Sequence, residues 1–230
     1  MTADGKIADE RRSPARFGSA ADKAHLEEQI SLVDAVLFGA GTLRAYGTTL
    51  PITNPDWLQQ RQERSRSPQP IHIVCSASGK IDPQLRFFYQ PVPRWLITTA
   101  IGAQLWQGKR EFAKILVFET KDKLIQSLDW SEAFTQLKLL GIEKLAILGG
   151  GELIASLLKA DLIDEFWLTI CPVILGGREA PTPVEGIGLS QQQRQRLELL
   201  IVKQVGQEVF LHYRLQHYSS QNNRQEKMGQ

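Results

Sequence analysis

Short apolar runs closed by glycine or polar turns recur along the chain, and two of the sharpest pass at once into a stretch of helical period. Leu145-Ala146-Ile147-Leu148 ends in Gly149-Gly150-Gly151 and is followed by Leu153, Ile154, Leu157 and Leu158. That pattern predicts a buried strand, a tight turn and a helix. Val33 to Phe38, interrupted by Asp34, runs into Gly39-Ala40-Gly41-Thr42-Leu43-Arg44 and predicts a second strand, a second glycine turn and a second helix start. Ile71 to Cys75, Trp95 to Thr99, Ile115 to Phe118 and Phe166 to Ile170 read as further strands. Ser19, with Asp22 three residues on, is close to a capping box, and Leu26, Ile30 and Val33 share a face, so a helix is expected from Ala20 to Ser31. Trp130, Phe134, Leu137 and Leu140 predict another helix, closed by Gly141.

Leu197 to Val205 and Val209 to His217, joined by Gly206-Gln207-Glu208, read as an antiparallel hairpin. The region from Gly47 to Pro70 holds four prolines and a short helical piece around Asp56 to Arg64, and reads as a surface excursion. Strands alternating with helices and ending in a hairpin give an α/β layered fold: a mostly parallel central sheet, helices on both faces and an antiparallel edge.

At 230 residues and 42% hydrophobic content the chain can bury one substantial core. A single domain over residues 1–217 is expected, with a polar, disordered tail over 218–230. The net charge of +2 is dispersed, the only basic run being Arg61 to Arg66, so lysines and arginines read as solvated surface and nucleic acid is not expected as a partner. Cys75 and Cys171 lie inside apolar runs, as buried thiols in a reducing compartment would. No apolar run reaches the ~18 residues of a membrane span, and the N-terminus lacks a basic-then-apolar signal. A cytoplasmic protein with no membrane partner is expected.

The candidate chemistry sits in the turns. Glycine lets the backbone approach a ligand, and the free N–H groups of a helix's first turn favour a phosphate. Two such turns suit a dinucleotide, whereas close helix packing is the other reading of the glycines. Ser76-Ala77-Ser78-Gly79-Lys80, after a third strand, could hold a phosphomonoester through its hydroxyls and Lys80. An ordinary Ser/Gly turn is the alternative.

The segments ADGKIA at Ala3 to Ala8, DAVLFGAGT at Asp34 to Thr42 and LGGGELIASLLKADLIDEFWLTICPVILGG at Leu148 to Gly177 resemble the reductase domain of bacterial riboflavin biosynthesis, itself similar to dihydrofolate reductase. The resemblance runs from Met1 to about Arg214. It implies an NADPH-dependent α/β reductase, a homodimer, acting on a small heterocycle. The diphosphate would lie on Gly149, Gly150, Gly151 and the turn through Glu152, Leu153 and Ile154. Gly41, Thr42 and Arg44 would hold the cofactor at the other glycine turn, and Ser76 and Ser78 would approach the 2′-phosphate. Asp4 and Leu50 are the substrate-side positions it implies. Hydride transfer to 5-amino-6-(5-phosphoribosylamino)uracil is the activity implied.

Two departures accompany the resemblance. The family's substrate-binding arginines and glutamate fall, by ungapped register, at Ile30, about Thr53 and Leu148, where none is retained. Ile30 and Leu148 are then expected to line a more apolar pocket. The family also has a buried strand leading into the turn at Asp4, whereas this sequence opens on that turn, so a late start or a truncation is expected. Two other functions compete: a pterin or folate reductase with Asp22 as the acid near the ring, and a nucleotide-binding protein without turnover.

Overall fold

The computed structural model of the chain describes residues 1–120 and 127–216. The expected polar tail and His217 lie outside the described residues. The chain divides into two compact units, Asp22–Gly150 in one, Met1–Ala21 with the chain from Gly151 onward in the other.

The unit from Asp22 to Gly150 is built on five strands: β1 (Ala35–Gly39), β2 (Ile71–Cys75), β3 (Arg94–Thr98), β4 (Lys114–Val117) and β5 (Leu145–Ile147). All pair in parallel, in the order β4-β3-β2-β1-β5. The near-continuous apolar runs of β1 and β2 explain their central place, because such a strand is buried on both faces. Val36, Phe38, Val74 and Leu96 point to one face and join Ile30 of helix α1 (Ala20–Ser31) and Leu43 of helix α2 (Ala40–Tyr46) in the main core. Leu37 and Ile73, alternating with them, are also fully buried. Phe87, Phe88, Trp106 and Phe112 extend the core through edge-to-face and stacked ring contacts with centroids 4.9–5.6 Å apart.

Helix α3 (Pro55–Glu63) lies inside the proline-rich excursion and opens on Asn54, whose side chain accepts from the Asp56 N–H. The excursion is less superficial than its polarity suggests. Ile52 belongs to the core, and Arg61 is only 3% exposed. Arg61 donates to the carbonyls of Ser31, Val33 and Ser67 at 2.8–2.9 Å, and Arg66 donates to Leu32 at 2.7 Å. The basic run expected on the surface therefore closes the C-terminal end of α1, whose own last turn carries no basic residue. Helix α4 (Ala100–Gln104) is too short to show a period in sequence, while α5 (Trp130–Leu139) follows the expected pattern and starts on an Asp129 cap.

The other unit holds helix α6 (Gly151–Lys159) and the strands β6 (Glu165–Ile170), β7 (Arg196–Val205) and β8 (Glu208–Gln216). The strands form a separate antiparallel sheet in the order β6-β8-β7, with a bulge in β7 between Leu199 and Ile201. The hairpin is thus present, but it joins β6 in a sheet of its own instead of edging the parallel one. Strand pairing is non-local, and the apolar runs alone do not choose partners. At the N-terminus Thr2 forms a parallel bridge with Cys171, and the Ala3 N–H donates to the Val173 carbonyl at 2.8 Å. No described helix is long and apolar enough to cross a membrane.

Candidate functional site

From β1 the chain steps outward through β2, β3 and β4, then returns to place β5 on the other side of β1. The strand order reverses between β1 and β5. In open α/β sheets the crevice outside the carboxyl ends of strands at such a reversal is where ligands bind. Both glycine turns leave the sheet here. The Leu148 N–H donates to the Leu37 carbonyl at 2.8 Å, and the Gly39 N–H to the Gly149 carbonyl at 3.4 Å, so the two turns start side by side. A methyl group added at Gly149 would lie 4.0 Å from the Thr42 hydroxyl.

Gly149 and Gly150 have φ of +126° and +98°, values that exclude side-chain-bearing residues without strain. Among the described residues neither N–H has an acceptor. Arg44, exposed on α2, folds back so that a guanidinium nitrogen lies 3.9 Å from where a Gly41 methyl would stand. Thr42, Gly41 and Arg44 on one turn and Gly149 and Gly150 on the other therefore offer donors and a positive charge at neighbouring strand ends. Such a pair of turns suits a diphosphate.

The serine turn leaves the adjacent strand, β2, in register with Gly39 at Cys75. The Gly79 N–H donates to the Ser76 carbonyl at 3.1 Å, closing a β-turn with Gly79 at φ +64°. Ser76 is buried and Ser78 exposed. The carbonyls of the turn face inward: Thr98 Oγ1 donates to Ser76 at 2.7 Å, Thr99 Oγ1 to Ala77 at 2.7 Å, and the Trp106 indole N–H to Gly79 at 2.7 Å. In a trans peptide the N–H is opposed to the C=O. The Ala77 and Ser78 N–H groups therefore point away from those partners, and neither has an acceptor among the described residues. Successive free N–H groups form an anion-binding concavity. Burial pushes the neighbouring Cys75 thiol up to about 12, so it stays protonated and inert.

In the other unit, Gly151 opens α6, with Glu152 exposed and Leu153 and Ile154 buried, so Leu153 and Ile154 can serve a ligand only through their backbone. A methyl group at Gly151 would meet the Glu185 side chain at 2.6 Å and the Thr182 carbonyl at 2.7 Å. Arg12 grips the Glu185 carboxylate with two hydrogen bonds of 2.7 and 3.1 Å, in the forked geometry that suits a guanidinium. Nothing in the local sequence pairs Arg12 with Glu185; only their opposite charges could have suggested it.

Asp4 does not present a free carboxylate. It accepts from the Thr2 hydroxyl at 2.6 Å and from the N–H groups of Gly176 and Leu175 at 2.7 and 3.2 Å. The Thr2 hydroxyl, then the Gly176 N–H, hold its acidity near a pKa of about 2. Leu50 is half-buried against the main core. Asp22 is half-buried in the first turn of α1, where the helix dipole favours a carboxylate. Ile30 is 0% exposed and belongs to the core, so it lines no pocket, and Leu148 packs against the same cluster. Thr53 instead meets Glu27. That buried carboxylate accepts from the N–H groups of Thr53 and Asn54 and from the Thr53 hydroxyl, all on one oxygen. Burial pushes the Glu27 carboxyl up, but these donors outweigh it and hold it below its ordinary value.

A profile of the RibD C-terminal domain matches residues 1–211. The chain is 26% identical over 185 residues to a 2,5-diamino-6-ribosylamino-4(3H)-pyrimidinone 5′-phosphate reductase of Archaeoglobus fulgidus, covering 80% of this chain and 82% of that protein. It is 27% identical over 215 residues to the reductase of the same name from Methanothermobacter thermautotrophicus, covering 93% and 94%. Among solved structures, a pyrimidine reductase-like protein from Corynebacterium diphtheriae superposes with a TM-score of 0.76 at 20% identity, over 94% of this chain and 89% of that one. That likeness shows the fold.

Proposed function

The chain belongs to the RibD C-terminal domain family, and on that premise we propose that it is an NADPH-dependent reductase of riboflavin biosynthesis acting on a phosphorylated ribosylaminopyrimidine. The two archaeal relatives are reductases, and a reductase family of this kind implies a nicotinamide cofactor. The observation that carries the reading to particular residues is the crevice at the reversal of strand order, where Thr42 and Gly149 meet.

In this reading the N–H groups of Gly149 and Gly150 and the Thr42 hydroxyl hold the diphosphate, with Arg44 and Gly41 beside them. The backbone of Gly151, Glu152, Leu153 and Ile154, next in sequence, supplies further donors. The serine turn receives the 2′-phosphate through Ser76, Ser78 and the two free N–H groups, which makes NADPH the preferred cofactor. When bound, the nicotinamide supplies the hydride; the protein fixes its approach to the substrate and excludes competing geometries. Asp4 and Leu50 act on the substrate side by shaping loops and walls rather than by direct charge.

The reading extends to a single reductase domain over residues 1–217, a homodimer and a cytoplasmic setting. Support for the dimer comes from β7, which exposes Leu197, Leu199, Ile201 and Val202. The burial of Cys75 and Cys171 fits a reducing compartment.

The test is substrate-dependent oxidation of NADPH by the purified protein. 5-Amino-6-(5-phosphoribosylamino)uracil is the substrate we assign, and the 2,5-diamino pyrimidinone form named for the archaeal relatives is assayed beside it. Oxidation with either form supports the assignment. NADPH binding with no oxidation by either would make the protein a nucleotide binder, and oxidation with a pterin alone would make it a different reductase.

A further inference from the structure

We propose that Trp106, acting with Thr98 and Thr99, is a positioning residue for cofactor discrimination, because it orients the serine turn toward the phosphomonoester. The proposal rests on the reading that Ser76 and Ser78 meet the 2′-phosphate.

Trp106 is 2% exposed and wedged between the rings of Phe88 and Phe112, with the Lys109 ammonium 4.8 Å from its ring centre. Its indole nitrogen is therefore fixed, and it has one acceptor, the Gly79 carbonyl, at 2.7 Å. That bond sets the plane of the Gly79–Lys80 peptide. On the opposite side of the same peptide, the Lys80 N–H donates to Ser78 Oγ at 3.3 Å. A hydroxyl that accepts one hydrogen bond keeps its own O–H to donate. The chain of bonds from Trp106 through the peptide to Ser78 thus turns the exposed hydroxyl into a donor facing outward.

Thr98 and Thr99 fix the Ser76–Ala77 and Ala77–Ser78 peptides by the same logic, since each holds a carbonyl whose opposed N–H, on Ala77 or Ser78, points away from it. There is no slack in this arrangement. A methyl group at Gly79 would stand 2.4 Å from the Gly102 carbonyl oxygen, and one at Gly102 would stand 2.0 Å from Thr98 Oγ1. The three side chains donate to the turn's carbonyls from behind, and none is needed to touch the cofactor. Their effect should fall on NADPH and spare NADH, which carries no phosphate at that position.

The experiment compares Kd for NADPH and for NADH in Trp106→Phe, Thr98→Val, Thr98→Ser and Ser76→Ala/Ser78→Ala. Trp106→Phe keeps the ring and removes the indole donor; Thr98→Ser keeps the hydroxyl that Thr98→Val removes. The expected result is a loss of NADPH affinity of roughly threefold to tenfold in Trp106→Phe and Thr98→Val. NADH affinity stays unchanged and Thr98→Ser behaves as the parent. If the double serine variant loses NADPH preference while Trp106→Phe and Thr98→Val retain it, the positioning role is wrong and the serine turn still reads the phosphate. If the serine variant also retains its preference, the turn does not meet the phosphate and both fall. Equal loss for the two cofactors would reduce Trp106 and Thr98 to fold support. Should Trp106→Phe fail to fold, Thr98→Val with its Thr98→Ser rescue decides.

Discussion

The two units of this chain differ in how apolar packing and polar fastening are weighted. In the Asp22–Gly150 unit the central strands are buried on both faces, and apolar packing supplies most of the cohesion. In the other unit the long strand β7 is largely exposed, and polar groups add to the packing of buried residues such as Leu157, Phe210 and Leu215. Glu208, 4% exposed, accepts from the Ser19 N–H and hydroxyl at 2.9 and 2.6 Å, Asp4 ties the Leu175–Gly176 backbone, and Arg12 grips Glu185. A packed sheet leaves its loops free to carry ligand-binding donors, because the strands do not depend on those loops. A carboxylate used for fastening commits charge to structure, and Asp4 shows this by accepting three hydrogen bonds from within its own unit.

The largest break of this comparison is a charge placed in each unit. Ile30→Arg puts an unpaired cation in the core and should cost about 3–5 kcal/mol in a denaturant titration. Ile187→Lys, at a fully exposed site of the other unit away from β7, should cost no more than about 0.5 kcal/mol. Similar losses at the two sites would dissolve the contrast.

Acid should produce the next effect. His72 is fully buried, its Nδ1 2.7 Å from the Thr49 hydroxyl and its Nε2 without a partner among the described residues. Burial, then the charges of Arg61 and Arg94, push its pKa down to about 3. The folded protein thus holds the ring neutral where the unfolded chain binds a proton. The contribution is complete above pH ~6.5 and is lost progressively as pH falls toward the folded value, an effect on the order of a few kcal/mol. Stability of His72→Gln measured from pH 7 to pH 4 should fall less steeply than that of the parent; parallel curves would mean that His72 is not buried neutral. Asp4 acts in a lower window: its depressed pKa stabilises above the ordinary carboxylate range and is lost only as pH drops through about 2.

A smaller effect tests the polar fastening itself. Glu208→Gln keeps the shape but replaces one acceptor oxygen with a donor facing Ser19, and should cost about 1–3 kcal/mol. Ser19→Ala in the Glu208→Gln background should then add little, because the two groups share their bonds. Full additivity of the two losses would show that they act independently.

How much of this was legible in sequence depended on how local the cause was. The helix over Ala20 to Ser31 and the strand over Ile71 to Cys75 stand where periodicity and apolar runs put them, since both signals are carried by the residues themselves. Arg61 reads as surface in sequence because its burial depends on carbonyls offered by a helix thirty residues away. Ile30 was expected at a pocket on a register borrowed from relatives, although its own spacing with Leu26 and Val33 already placed it on the apolar face of α1. The separation of β6, β7 and β8 into their own sheet, and the bond from Trp106 to Gly79, are pairings between distant segments that no window of sequence contains. The glycine turn was the opposite case. Three consecutive glycines after a strand announce a positive φ, and Gly149 and Gly150 have it.

The central claim is that the crevice between the ends of β1 and β5 holds the cofactor's diphosphate. Its most direct test is the affinity of Gly150→Asp for NADPH, measured by calorimetry with folding checked by circular dichroism. At φ +98° the substitution strains the turn and sets a carboxylate where the diphosphate would lie, so binding should be lost in a protein whose secondary structure is retained. A folded Gly150→Asp variant that binds NADPH as tightly as the parent would place the cofactor elsewhere.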